Sequence, residues 1–132
     1  MTVFVDTSAI LALMSPDDRF HQAAATMWRQ WASQRPQLIT SNYIVLETVA
    51  LLQRRVGLDA VRSFHERLLP VMQVEWVTPE THRRAVTAVL AAERRDLSLV
   101  DCTSFDLMRN LDLEAAFTFD DHFAEQGFTR LP

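Results

Sequence analysis

The stretch that decides the fold is Met1–Ile10, MTVFVDTSAI. Val3, Phe4 and Val5 make a short apolar run of the residue types that fill a buried strand. The run ends on an acid, Asp6, followed by two hydroxyls, Thr7 and Ser8. Asp is a poor strand former and is seldom buried without a partner. Either Asp6 caps a following helix, or it ligates a metal ion. The other acids of the chain bear on that choice.

Outward from this strand, only Gly57 and Gly127 punctuate the chain, so most of it reads as helix. Asp17 or Asp18 can cap a helix over about residues 19–34, with Phe20, Ala23, Ala24, Met27, Trp28 and Trp31 on its apolar face. PQLITS is a short strand and turn. Residues 42–55 form a strongly apolar helix that stops before Gly57. A helix from Asp59 to about Leu69 ends near Pro70. VMQVEWVT alternates as a strand. Pro79 suits the first turn of a helix to about Arg94, and Ser98 starts another to about Asn110. AAFTF is a strand, and residues 121–126 form a short helix closed by Gly127. Strands alternating with helices predict a parallel α/β sheet covered on both faces. No linker or repeat interrupts the pattern, so one domain over residues 1–132 is expected.

Composition narrows the chemistry. The net charge is −4, which argues against an extended phosphate-binding surface but leaves room for a local one. All 13 basic residues are arginine. The absence of lysine excludes a P-loop, a Schiff base and a lysine-assisted aspartyl-phosphate site. A single cysteine, Cys102, permits no internal disulfide and reads as a buried filler. With no membrane-length apolar segment and no leader-like N-terminus, a cytoplasmic protein is expected.

Four acids stand at ends or faces of elements. Asp6 and Asp120 follow strands, and in open parallel sheets sites form beyond the carboxyl ends of the strands. Glu47 lies in NYIVLETVALLQRR with Ile44 and Leu51 on its own face, so an ionised Glu47 buried there needs a cation or a donor. Asp101 stands three residues after Ser98 at capping-box spacing, which gives it a fully structural reading as well. Asp121 competes with Asp120 as a turn or cap residue. Together, four acids directed to one edge would repel or take up protons, and a divalent cation relieves this. Oxygen ligands without a His/Cys set point to Mg²⁺ or Mn²⁺. His21, His65, His82 and His122 are scattered without metal-ligand spacing and read as surface or packing residues.

The segments VFVDTSAILAL, SNYIVLETVALL, LSLVDCTSFDLM and AFTFDDHFAEQGF, in that order and spacing, resemble the PIN-domain family, and within it the VapC-type toxin ribonucleases. The resemblance implies a three-layer α/β/α sandwich with a mostly parallel sheet of four or five strands. It implies a metal-dependent endoribonuclease using Mg²⁺ or Mn²⁺. The family's acids map onto Asp6, Glu47, Asp101 and Asp120, as catalytic residues and metal ligands. The hydroxyl after the first acid maps onto Thr7 or Ser8, with Ser8 preferred, and Thr118 matches the hydroxyl before the last acid. Asp120 with Phe123 fits the acid-x-x-Phe ending. The implied partners are RNA, a small antitoxin and a second copy of the chain. Trp28 and Trp31 could serve such an interface or the core. Arg54–Arg55, Arg83–Arg84 and Arg94–Arg95 could meet phosphates or simply be solvated helix ends.

Rival readings remain. A phosphatase with Asp6 as nucleophile wants a second acid two residues on, where Ser8 stands. A non-catalytic PIN-fold module would bind RNA or protein without cutting. An RNA-processing PIN nuclease would cut without being a toxin.

Overall fold

A computed structural model describes all of residues 1–132. Five parallel strands form one sheet in the order β3-β2-β1-β4-β5: β1 Thr2–Val5, β2 Gln37–Ser41, β3 Gln73–Glu75, β4 Ala115–Phe117 and β5 Thr129–Leu131. β1 is central, pairing Val3 with Leu38 on one side and Ala115 on the other. Val3, Phe4 and Val5 are buried because helices cover both faces of a parallel sheet. The sheet is fully parallel, and β5 lies beyond the strands read from the sequence.

The chain steps from β1 through β2 to β3, then crosses back to β4 and β5. The order therefore reverses between β1 and β4. At such a switch point the carboxyl ends of two neighbouring strands open a crevice. The crossovers contribute α1 Thr7–Met14, α2 His21–Gln34, α3 Asn42–Arg55, α4 Leu58–Ser63, α5 Pro79–Ala92 and α6 Leu99–Asn110, followed by α7 His122–Glu125. α1 packs on α2 and α3, and α5 packs on α6.

Side-chain caps set several helix starts. Ser41 caps α3, Thr78 caps α5 with Pro79 in the first turn, and Ser98 caps α6. Two boundaries differ from expectation. Neither Asp17 nor Asp18 caps α2: the Asp18 carboxylate accepts from the Phe20 N–H in a local turn, and the helix begins at His21. α5 ends at Ala92 because Glu93 adopts the left-handed conformation (φ 53°). α4 runs on through a π-helical turn, Phe64–Leu68, to a 3-10 turn ending at Val71.

Trp31 is buried edge-to-face against Phe117 (4.9 Å), so it belongs to the core. Trp28 is half-buried and lines a surface pocket with Trp31, Leu38 and Val71. Ala23, expected on the buried face of α2, is exposed. Leu46 and Trp76 are 70% and 73% exposed and border an apolar surface with Tyr43, Val45, Leu69 and Val74. No helix is long and apolar enough to cross a membrane.

Candidate metal centre

Asp6 ends β1 at the reversal of strand order and is also the N-cap of α1. It is 5% exposed. Its Oδ2 accepts from Ser8 Oγ (2.7 Å) and from Thr118 Oγ1 (2.9 Å). Each hydroxyl in turn accepts a backbone N–H: Ser8 Oγ from Phe119 (2.9 Å) and Thr118 Oγ1 from Asp120 (3.0 Å). A hydroxyl that accepts an N–H is free to turn its own proton elsewhere. The backbone after β4 thereby aims both hydroxyl protons at Asp6. Of the two hydroxyls left open by the sequence, Ser8 contacts Asp6, whereas Thr7 Oγ1 is buried without a hydrogen-bond partner.

Burial pushes the Asp6 carboxyl up to about 6. The Ser8 and Thr118 hydroxyls pull it down, and the charges of Asp101 and Asp120 push it further up. The structure shows the cap, and that role uses only one of the two carboxylate oxygens. One oxygen is held by the fold, and the other carries no hydrogen bond from the protein.

Asp101 sits in the first turn of α6 in a complete capping box. Its Oδ2 accepts from the Ser98 N–H (3.1 Å), and Ser98 Oγ accepts from the Asp101 N–H (3.1 Å). Its carboxyl is raised by partial burial and by Asp120, against the Ser98 hydrogen bonds. Asp120 follows β4, and its Oδ1 accepts from the His122 N–H (2.9 Å), a short Asx turn into α7. Asp121 points away, 87% exposed and paired with Arg130. Of the two neighbouring acids, only Asp120 therefore faces the others.

The carboxylate oxygens of Asp101 and Asp120 and a ring nitrogen of His122 all lie within 4.8 Å of one another. Neither Asp6 nor Glu47 belongs to this tight group, although Asp6 feels the charge of both aspartates. Glu47 is half-buried on α3, less enclosed than its apolar neighbours suggested. His122 is the residue that sequence reasoning missed. Its only signal was local, an acid and an imidazole two residues apart in Asp120-Asp121-His122 at the start of a short helix.

The nearby arginines are committed elsewhere. Arg94 pairs with Asp96 (2.9 Å) and Glu125 (3.0 Å), and Arg130 with Asp121. No arginine reaches Asp6, Asp101 or Asp120. The one basic side chain beside them is His122, whose Nδ1 lies 2.8 Å from Asp120 Oδ1. Close carboxylates, each held by one oxygen, fit the donor set of a divalent ion. Asp101, Asp120 and His122 could hold one directly.

Fold and site together define a class: a doubly wound parallel α/β sandwich with a carboxylate-lined crevice where its strand order reverses. The chain belongs to the PIN-domain family, whose sequence profile matches residues 3–128. It is 38% identical over 130 residues to the 23S rRNA-specific endonuclease VapC20 of Mycobacterium tuberculosis, covering 98% of this chain and 97% of that protein. The crystal structure of that protein, described as a sarcin-ricin loop cleaving toxin, superposes with a TM-score of 0.85 over 96% of both chains. The FitAcB structure from Neisseria gonorrhoeae shares the fold at 10% identity, with a TM-score of 0.71 over 100% of this chain and 97% of that one.

Proposed function

We propose that this protein is a metal-dependent endoribonuclease that hydrolyses RNA phosphodiester bonds, acting as the toxin of a VapBC-type pair. The observation that carries the reading is the crevice itself. Three carboxylates converge at the carboxyl edge of the sheet, with no arginine to neutralise them. The VapC20 relative, matched along nearly the whole chain, supports the reaction class.

In this reading Asp101 and Asp120 hold Mg²⁺ or Mn²⁺, and Asp6 completes the negative floor. Glu47 ligates the ion or orients the attacking water. Ser8 and Thr118 act on Asp6, keeping it ionised and fixed through their donated hydrogen bonds. A bound divalent ion supplies a water of lowered pKa and neutralises charge on the scissile phosphate. The partners are RNA, a small antitoxin and a second copy of the chain, in the cytoplasm. The exposed apolar surface around Leu46 and Trp76 supports a protein partner.

The test is cleavage of total RNA by purified, partner-free protein with Mg²⁺, Mn²⁺ or EDTA. An isolated fragment of 23S rRNA, the RNA named for the VapC20 relative, is the first defined substrate to try. Discrete fragments that require metal are expected. A folded, metal-binding protein that cuts no RNA would point instead to a non-catalytic binding module.

A further inference from the structure

His122 lies in the crevice with both ring nitrogens accounted for in different ways. Its Nε2 is 3.1 Å from Asp96 Oδ2. An ionised carboxylate only accepts, so Nε2 carries a proton there. Asp96 is itself fixed by Arg94, which also holds Glu125 at the end of α7. The imidazole orientation is therefore set from outside the crevice.

Nδ1 points the other way. It is buried and makes no hydrogen bond, yet it lies 2.8 Å from Asp120 Oδ1. The separation is that of a hydrogen bond, but the alignment is not. The in-plane direction of Nδ1 passes beside the Asp120 oxygen rather than at it, so no protein group satisfies this nitrogen. A cation seated between the two atoms would be bound by both. Two adjacent ligand atoms on an octahedral ion with bonds of about 2.1 Å lie about 3 Å apart, matching this contact.

We propose that His122 Nδ1 is a metal ligand, which makes the centre a mixed nitrogen–oxygen site rather than an all-oxygen one. The inference rests on the metal-dependent reading above and alters its ligand set. A carboxylate that accepts from the far nitrogen of a ligating imidazole is the usual support for such a ligand, and Asp96 stands in that place. Imidazole suits transition ions better than it suits Mg²⁺, which takes oxygen ligands and keeps its waters. The site accordingly selects Mn²⁺ over Mg²⁺.

The test is pulsed electron paramagnetic resonance of Mn²⁺ added to the metal-stripped protein, read for nitrogen modulation of the bound ion. Nitrogen coupling is expected in the parent and absent from His122→Ala, which still binds Mn²⁺ through its carboxylates. By competition titration, the preference for Mn²⁺ over Mg²⁺ should fall by about tenfold in that variant. Circular dichroism checks that the variant is folded, and the parent spectrum alone is decisive should it not be. Mn²⁺ bound to the parent without nitrogen coupling overturns the ligand while leaving the nuclease reading intact. Coupling that persists in His122→Ala overturns it too. A parent that binds no Mn²⁺ removes both the ligand and the metal-dependent reading.

Discussion

Asp6 and Asp96 are both aspartates near one crevice, and they are held in opposite ways. Asp96 stands on the exposed rim, where hydrogen bonds from Arg94 and then His122 hold its carboxyl well below the usual range. Its charge is answered within the protein. Asp6 stands on the floor, where burial outweighs two hydroxyl donors and pushes its carboxyl up to about 6. The rim is electrostatically complete, and the floor is not. An unneutralised buried carboxylate is costly, and the chain places this one beside two half-buried ones, Asp101 and Asp120. On the proposed function, that difference is what a bound cation would answer.

The most direct way to break this comparison is Asp6→Asn. The amide keeps the shape and removes the charge. Cleavage should fall more than about 100-fold, beyond the upper end of what losing an outer partner of a metal site costs. The metal-free variant should be at least as stable as the parent near neutral pH, because a buried charge has been removed. RNA cleavage and urea unfolding in EDTA measure the two halves. Unchanged cleavage by the folded variant would place the chemistry elsewhere.

The next effect sharpens the same point through pH. In metal-free protein the folded-state value for Asp6 lies above its ordinary 3.8, at about 6. Between these values the native state holds a proton that the unfolded chain has released, so stability falls as pH rises. The fall amounts to roughly 3 kcal/mol, centred between about pH 4 and pH 6. Asp101 is shifted in the same direction and adds to it. Asp96 works in the opposite sense, but only below that window. Urea midpoints across this range should slope down in the parent and clearly less in Asp6→Asn. Equal slopes would mean that Asp6 is not the source.

Much of this layout was legible beforehand. Val3–Val5 reads as a buried strand because its residue types favour one and the strands and helices that follow alternate as in a parallel sheet. Residues 42–55 read as a helix because the run is strongly apolar and stops before Gly57; the Ser41 cap came from the structure. The Ser98–Asp101 capping box was visible as spacing. What escaped was tertiary in origin. Thr129–Leu131 is a three-residue edge strand whose pairing with β4 comes from the register of its neighbour. His122 is not legible as a site residue because Asp96 and Asp101 are more than twenty residues away, in the turn before α6 and in its first turn, brought near α7 by contacts such as Phe105 on Phe123. The apolar neighbours of Glu47 on its helix face suggest burial, but how deeply it sits depends on what packs over α3.

Two caps of the same chemistry give a smaller and cleaner contrast. Ser98 and Thr78 each accept from the backbone N–H three residues on, at 3.1 Å. Replacing either by Ala should cost about 1 kcal/mol. Only Ser98→Ala loosens Asp101, so only it should also weaken Mn²⁺ binding. Calorimetric titration of both variants separates a general loss of helix from a loss at the crevice. Equal weakening would mean that Asp101 does not hold the ion.

Arg94→Ala should have the smallest effect on stability, because its partners lie on the solvated rim. Arg94, Asp96 and Glu125 are each more than 40% exposed at the side chain. Water and counterions can replace the guanidinium there, and exposed pairs contribute little. The urea midpoint should not move measurably. The informative readout is cleavage at low and at moderate salt. Arg94 is tied to Asp96, which fixes the His122 ring, so releasing it loosens the imidazole without exposing any core. If cleavage drops while stability and salt dependence stay constant, the rim acts by holding His122. If the salt dependence itself flattens, Arg94 meets RNA phosphate directly, since a lost phosphate contact releases fewer counterions. If neither changes, the rim is only the solvated edge of the sheet, and the comparison rests on the floor alone.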